Sequence, residues 1–231
     1  MEKTHFPPLS ARRGVEAMPK QGTTLEELAG KIVDAMPTLG QEEQRVAVAL
    51  YRLLAQGAPV SPTSLARAVN LSEMYIRDIL TRWPGVYHDD SGSVIGFWGL
   101  ALPEMPHRFT VERRTLHTWC AWDSLFIPGI IGKTAHVESA DPLTKALVTL
   151  SVGPDGVNDA SSAGVVVSFL SPEGAFDADV IMNFCHFVHF FDSEESGARW
   201  TATHKGTFLL SLEEAFTLGQ MTNARKFQGV L

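Results

Sequence analysis

Residues 70–102 read NLSEMYIRDILTRWPGVYHDDSGSVIGFWGLAL, a segment that begins with helical spacing and ends with strand-like alternation. A tight turn near Asn70 opens a helix over 71–83. VYHDDSGSVIGFWGLAL (86–102) then alternates about an Asp-Ser-Gly turn, which predicts a β-hairpin. Just upstream, SPTSLARAVN (61–70) offers Ser61 as a cap with Pro62 at the first helical position. Two short helices joined in this way form a helix-turn-helix pattern, and the hairpin follows where a winged-helix domain has its wing.

Two more helices precede this unit. Residues 23–36 place Leu25, Leu28, Ile32, Val33 and Met36 at helical spacing, with Thr24 as the cap and Glu27 three residues on. Residues 41–55 repeat the pattern through Val46, Val48, Leu50, Leu53 and Leu54, and Gly57 closes it. A winged helix raises the question of DNA. The segment 71–83 sets Arg77 and Arg82 against Glu73 and Asp78, whereas a groove-reading helix carries an excess of base. The whole chain has 26 acidic and 19 basic side chains, a formal charge of −7 that opposes a polyanionic partner. The expectation is a packing domain with no nucleic-acid role, and a ligand-sensing winged-helix regulator is the weaker alternative.

Pro103 and Pro106 punctuate the chain, and the pattern then becomes mixed. RFTVE (108–112), TAHVES (134–139), ALVTLSV (146–152), GVVVSFL (164–170) and GTFLLSL (206–212) read as strands. Residues 115–127 read as a helix ended by Pro128 and Gly129, MNFCHFVHFF (182–191) as an aromatic strand, and ARWTATHK (198–205) as a short helix. LEEAFTLGQMTNARKF (212–227) is a closing helix capped by Ser211 with Glu214 three residues later. The strands do not alternate regularly with helices. The expected fold is therefore α+β, an N-terminal helical winged-helix-like domain followed by a mixed, mainly antiparallel β-sheet core with flanking helices. Its expected divisions are a flexible N-terminal arm at 1–22, a winged-helix-like domain at 23–105 and a catalytic α+β domain at 106–231.

With 231 residues, 45% of them hydrophobic, the chain can bury a substantial core. No apolar run reaches the roughly 18 residues of a membrane span, and none follows the paired arginines near the N-terminus. A cytoplasmic protein with no membrane partner is expected. Two cysteines make no disulfide framework and cannot complete a four-cysteine zinc site, so if they act together they act as a pair of thiols.

Those cysteines lie in HTWCAWD (117–123) and FCHFVHFF (184–191). On a helix Cys120 and Asp123 would share a face, with His117 one turn before, Ile127 one turn after, and Trp119 and Trp122 excluding water. Desolvation would raise the pKa of such a carboxyl and let it hold a proton near neutral pH. Taken alone, a cysteine three residues before an aspartate is more often core packing than a site. In a strand, Cys185 and His189 would share a face, though buried histidines with ordinary partners account for His186 and His189 better than a metal site does. Two thiols and a carboxyl converging in an apolar pocket would suit a soft, thiophilic metal, and two sulfurs suit linear coordination.

WCAWDSLFIPGIIGKTAHV (119–137), with FCHFVHFF about 65 residues later, resembles the bacterial organomercurial (alkylmercury) lyases. GSVIGFWGLAL (92–102) is similar to the family's wing segment and EAFTLGQ (214–220) to its C-terminal helix, so the likeness runs from about Val46 onward. The resemblance places the family's catalytic trio on Cys120, Asp123 and Cys185, which would also hold the product mercuric ion. It implies protonolysis of a carbon–mercury bond to a hydrocarbon and mercuric ion, with no organic cofactor. The implied partners are an organomercurial substrate, low-molecular-weight thiols for turnover and a mercuric reductase to take the ion onward. Cys120 is the expected first nucleophile, with the reverse order, Cys185 first, left open, and Asp123 carries the proton. Many members carry a further cysteine where SADPL (139–143) has Asp141, a difference that bears on local stability or metal retention. The competing function is a mercury or copper carrier or sensor that binds through the same thiols without cleavage. Asp123 distinguishes the two, because a pure binder needs no proton donor.

Overall fold

The computed structural model describes residues 22–177 and 179–231. The arm expected at 1–22 lies, except for Gly22, outside the described residues. Four helices come first: α1 (Leu25–Ala35), α2 (Gln41–Leu54), α3 (Pro62–Val69) and α4 (Glu73–Arg82). Their ends follow local chemistry. Thr24 Oγ1 accepts the Glu27 N–H at 3.1 Å while Glu27 accepts the Thr24 N–H at 2.9 Å, the reciprocal box that its spacing predicts. Ser61 caps α3 with Pro62 in the first turn, and Asn70 ends it in the left-handed region at φ 58°. Along α4, Arg77 pairs with Glu73, and Arg82 pairs with both Asp78 and Glu43, so neither arginine offers an unpaired cation.

The hairpin forms as expected. Strands β1 (Val86–His88) and β2 (Val94–Phe97) are antiparallel, and Asp89 Oδ1 accepts the N–H groups of Ser91 and Ser93 across the turn. Strand β3 (Leu100–Ala101) follows, then β4 (His107–Val111), β5 (Arg114–Thr118), helix α5 (Asp123–Ile131), β6 (Ala135–Ala140), β7 (Leu147–Val152) and β8 (Val157–Asn158). These strands make one antiparallel sheet in the order β1-β2-β3-β5-β4-β6-β7-β8. Because β3 pairs with both β2 and β5, the sheet extends from the hairpin across the Pro103 and Pro106 segment into the second half of the chain.

A second antiparallel sheet has the order β10-β9-β11, built from β9 (Val166–Leu170), β10 (Phe190–Phe191) and β11 (Thr207–Ser211). Helices α6 (Val180–Asn183), α7 (Glu194–Thr201) and α8 (Leu212–Lys226) complete the fold, and α8 packs on both α1 and α5. The fold is mixed α+β with mainly antiparallel sheets.

Two local expectations are corrected. Residues 115–127 are not one helix: 114–118 form β5, whose backbone pairs with β3 and β4, and helix begins only at Asp123. Among DSLFIPGII every residue but Gly129 is buried, so no polar face marks where the helix starts. The aromatic run 182–191 is likewise not a strand. It is the end of α6, a 3-10 turn at Cys185–Phe187, and only two residues of β10. The Ser168 hydroxyl of β9 explains the change. It donates to Phe187 O at 2.8 Å and accepts the His189 N–H at 3.0 Å, supplying partners that a strand ladder would otherwise provide.

Candidate active site

Cys120 sits in the turn between β5 and α5, and the turn is held from several sides. The Trp119 N–H donates to Gly99 O at 3.0 Å, the Thr118 hydroxyl to Cys120 O at 3.1 Å, and the Ser124 hydroxyl to Ala121 O at 2.6 Å. Asp123, at the first position of α5, turns back so that Oδ2 accepts the Cys120 N–H at 2.9 Å. The pair therefore meets across a strand-to-helix turn, where the sequence reading had put both on one helical face. His117 consequently belongs to β5, paired with Ala101 and Arg108, and forms no stripe with Cys120.

The second motif reaches the first through one backbone bond. The Ala121 N–H donates to Val188 O at 3.1 Å, and Val188 caps the 3-10 turn that Cys185 opens. The candidate ligand atoms of Cys120, Asp123 and Cys185 all lie within 4.8 Å of one another, and the three residues are buried at 0%, 6% and 5% exposure. Both cysteines are free thiols. Among the described residues neither His186 nor His189 joins that cluster: His186 is exposed, contrary to a core role, and the His189 imidazole packs on Trp200 and bonds through Nε2 to His186 O.

Burial sets the charge state. It pushes the Asp123 carboxyl up to about 7, against hydrogen bonds from the Cys120 thiol and N–H that favour the carboxylate. It also drives the Cys120 thiol well above its ordinary value, helped by Cys185 and Asp123. For Cys185 the hydrogen bond from the Cys120 thiol pulls downward, but burial and Asp123 leave it raised. Burial keeps both thiols protonated, because an isolated buried charge is expensive, while Asp123 near pH 7 is divided between the acid and the carboxylate, the form that can take a thiol proton. The same trio can hold one soft dication: two thiolates neutralise it and supply sulfur donors, with one carboxylate oxygen beside them.

An apolar cavity opens onto Asp123 and Cys185. Its walls include Trp98, Trp119, Trp122, Phe126, Phe176 and Phe184, so both tryptophans of the WCAWD motif give the acid an apolar surrounding. Sequence reasoning missed Gly99, at φ +96°, whose Cα faces the Asp123 carboxyl. It also missed Tyr51, a buried phenol that donates to Trp98 O at 2.6 Å and whose proton is held more tightly by burial and by nearby Asp123. Gly99 immediately follows the hairpin and Tyr51 lies within an ordinary amphipathic helix, so no local spacing marks either one.

The family model described as MerB, alkylmercury lyase, matches residues 100–223. The chain is 41% identical to the alkylmercury lyase of Pseudomonas putida over 75% of this chain and 81% of that protein. It is 36% identical to those of Staphylococcus epidermidis, over 76% of this chain and 80% of that one, and of Streptomyces lividans, over 74% and 78%. The fold is that of the crystal structure of the mercury-bound form of MerB2, with a TM-score of 0.66 and 17% identity, covering 85% of this chain and 96% of that one. With a family match over more than half its length and relatives above one third identity, this chain belongs to the alkylmercury lyase family, and it is a lyase.

Proposed function

We propose that the protein cleaves carbon–mercury bonds by protonolysis, with Cys120, Cys185 and Asp123 as the reacting groups. The observation that carries this reading is the meeting of two thiols and a carboxyl within 4.8 Å, beside an apolar cavity, with the carboxyl poised near pH 7. Residues 106–231 supply the trio, and residues 23–105 act as a winged-helix-like support that contributes part of the cavity wall.

Chemically, one thiol passes its proton to Asp123 and displaces the ligand X of an incoming R–Hg–X. The second thiol coordinates the metal, and its proton leaves with X. Two sulfurs raise the electron density on the mercury-bound carbon, which takes the proton from Asp123 and departs as R–H. Mercuric ion is left on Cys120 and Cys185, with an Asp123 oxygen beside it. The balance is R–Hg–X plus two thiols giving R–H, HX and a mercury dithiolate. Low-molecular-weight thiols then extract the ion for a mercuric reductase, a cycle that suits the reducing cytoplasm and calls for no organic cofactor.

Cys185 is the better first nucleophile. It is the less buried thiol and is pulled toward the thiolate by the Cys120 hydrogen bond, which reverses the order expected from sequence. The test is benzene release from a phenylmercury compound with excess thiol. Wild type should release benzene, and Cys120→Ser and Cys185→Ser should not. Tight mercury binding by the wild type with the carbon–mercury bond intact would overturn the lyase chemistry in favour of a carrier.

A further inference from the structure

Lys226, at the end of α8, is only 6% exposed and plays no part in the chemistry above. Its ammonium group donates to Pro37 O, in the turn between α1 and α2, and sits 5.2 Å from the centroid of the Trp98 ring. Pro37 and Trp98 both line the cavity that opens onto Asp123 and Cys185. Trp98 is itself an unusual residue, with φ +32°, a region that larger side chains rarely adopt. Its indole N–H donates to Pro84 O at 2.6 Å, its backbone N–H to Gly85 O at 3.1 Å, and its ring stacks on Phe97. A strained conformation of this kind persists only where its surroundings hold it. Through Lys226, Trp98 is tied both to the end of α8 and to the turn that follows α1. Burial lowers its pKa to about 8, partly opposed by Glu43, which leaves a cation at neutral pH.

We propose that Lys226 is a positioning residue for the substrate: its ammonium clamps Pro37 against Trp98 and so fixes the spacing of two cavity walls that receive the hydrocarbon of an organomercurial. The inference rests on the lyase reading above. These two walls contact the hydrocarbon in the ground state and the transition state alike, so loosening them weakens both equally. The effect falls on KM. Asp123 is oriented separately by the Cys120 N–H, so proton delivery is spared.

The experiment compares steady-state release of benzene from a phenylmercury thiolate by full-length wild type, Lys226→Met, Lys226→Gln and Lys226→Arg, with thermal unfolding of each. Lys226→Met should raise KM about tenfold with kcat within about twofold, from loss of a buried charged hydrogen bond and the cation over the ring. Lys226→Arg keeps a cation and a donor and should restore KM to within roughly threefold of wild type. Wild-type KM in Lys226→Met, whatever its melting temperature, overturns the proposal, as does an Arg variant no better than Met. If the Met variant does not fold, the Gln variant decides, because it keeps a donor but no cation: a raised KM supports the clamp and a wild-type KM overturns it. Absence of benzene release by the wild type sinks the lyase reading itself.

Discussion

The Cα of Gly99 lies so close to the carboxyl of Asp123 that a Cβ built on Gly99 would sit 2.5 Å from Asp123 Cγ. Backbone conformation adds to the constraint, since φ +96° strains any side chain. Gly99→Ala should therefore displace Asp123 from the Cys120 N–H and cost about 3 kcal/mol of stability. Benzene release should fall by at least about 100-fold, as expected when a reacting group is moved by an ångström. Near-normal release by a folded Gly99→Ala protein would show that Asp123 does not need its present position.

Asp123 also makes stability depend on pH. Its folded pKa, about 7, lies above the unfolded value of roughly 3.9, so the folded chain binds the proton more tightly. The contribution is fully present below about pH 4 and is lost as pH rises toward 7, about 3 kcal/mol of it between roughly pH 5 and pH 8. Asparagine resembles the protonated acid and does not titrate. Urea unfolding of Asp123→Asn should thus lack this fall, so that the variant gains on wild type at the alkaline end. Parallel stability profiles for the two proteins would mean that the carboxyl is ionised in the folded state at neutral pH.

The Asp141 carboxylate has a structural role of its own. It is fully buried; Oδ1 accepts the N–H groups of Leu143 and Thr144 at 2.7 and 3.0 Å, and Oδ2 accepts the Asp192 N–H at 3.1 Å. The turn after β6 is thereby tied to the residue that follows β10, joining the two sheets. Burial alone would raise this carboxyl, but the hydrogen bonds prevail and take it down to about 2. A pKa below the unfolded value means stability present above about pH 4 and lost as pH falls toward 2. Asp141→Ala should lose roughly 3 kcal/mol at neutral pH by leaving donors unpaired, while kcat for benzene release stays within about twofold. A large loss of kcat with normal stability would place Asp141 in the chemistry.

Local signals were read correctly where the structure answers to local physics. The caps at Thr24, Ser61 and Ser211 are made by residues within three positions, and each forms as the spacing implies. The two misread segments, 115–127 and 182–191, are the ones whose backbone partners are remote: β3 and β4 for the first, Ser168 for the second. Cys120 and Asp123 were still paired correctly, because a tight turn joins residues three apart as well as a helix does. Gly99 reaches the cavity wall, and Tyr51 and Lys226 reach the Trp98 that lines it, only through the tertiary fold, and an isolated sequence carries no period that would reveal them.

The order of attack by the two thiols can be separated from turnover. Cys120 is fully buried, with its pKa driven well above the ordinary thiol value, whereas Cys185 is partly relieved by the Cys120 hydrogen bond and lies on the cavity wall. Thiolate fraction and access both govern alkylation, and both favour Cys185. Iodoacetamide at mildly alkaline pH should modify Cys185 at least about tenfold faster than Cys120, as read by peptide mass mapping over time. In Cys120→Ser, Cys185 loses the thiol donor that lowers its pKa and gains a hydroxyl donor in its place, so its reactivity should change little. In Cys185→Ser, Cys120 should remain slow, because its protection comes from burial. Faster labelling of Cys120 would restore the order expected from the sequence, with the Cys120 thiol giving its proton to Asp123 and meeting the mercury first.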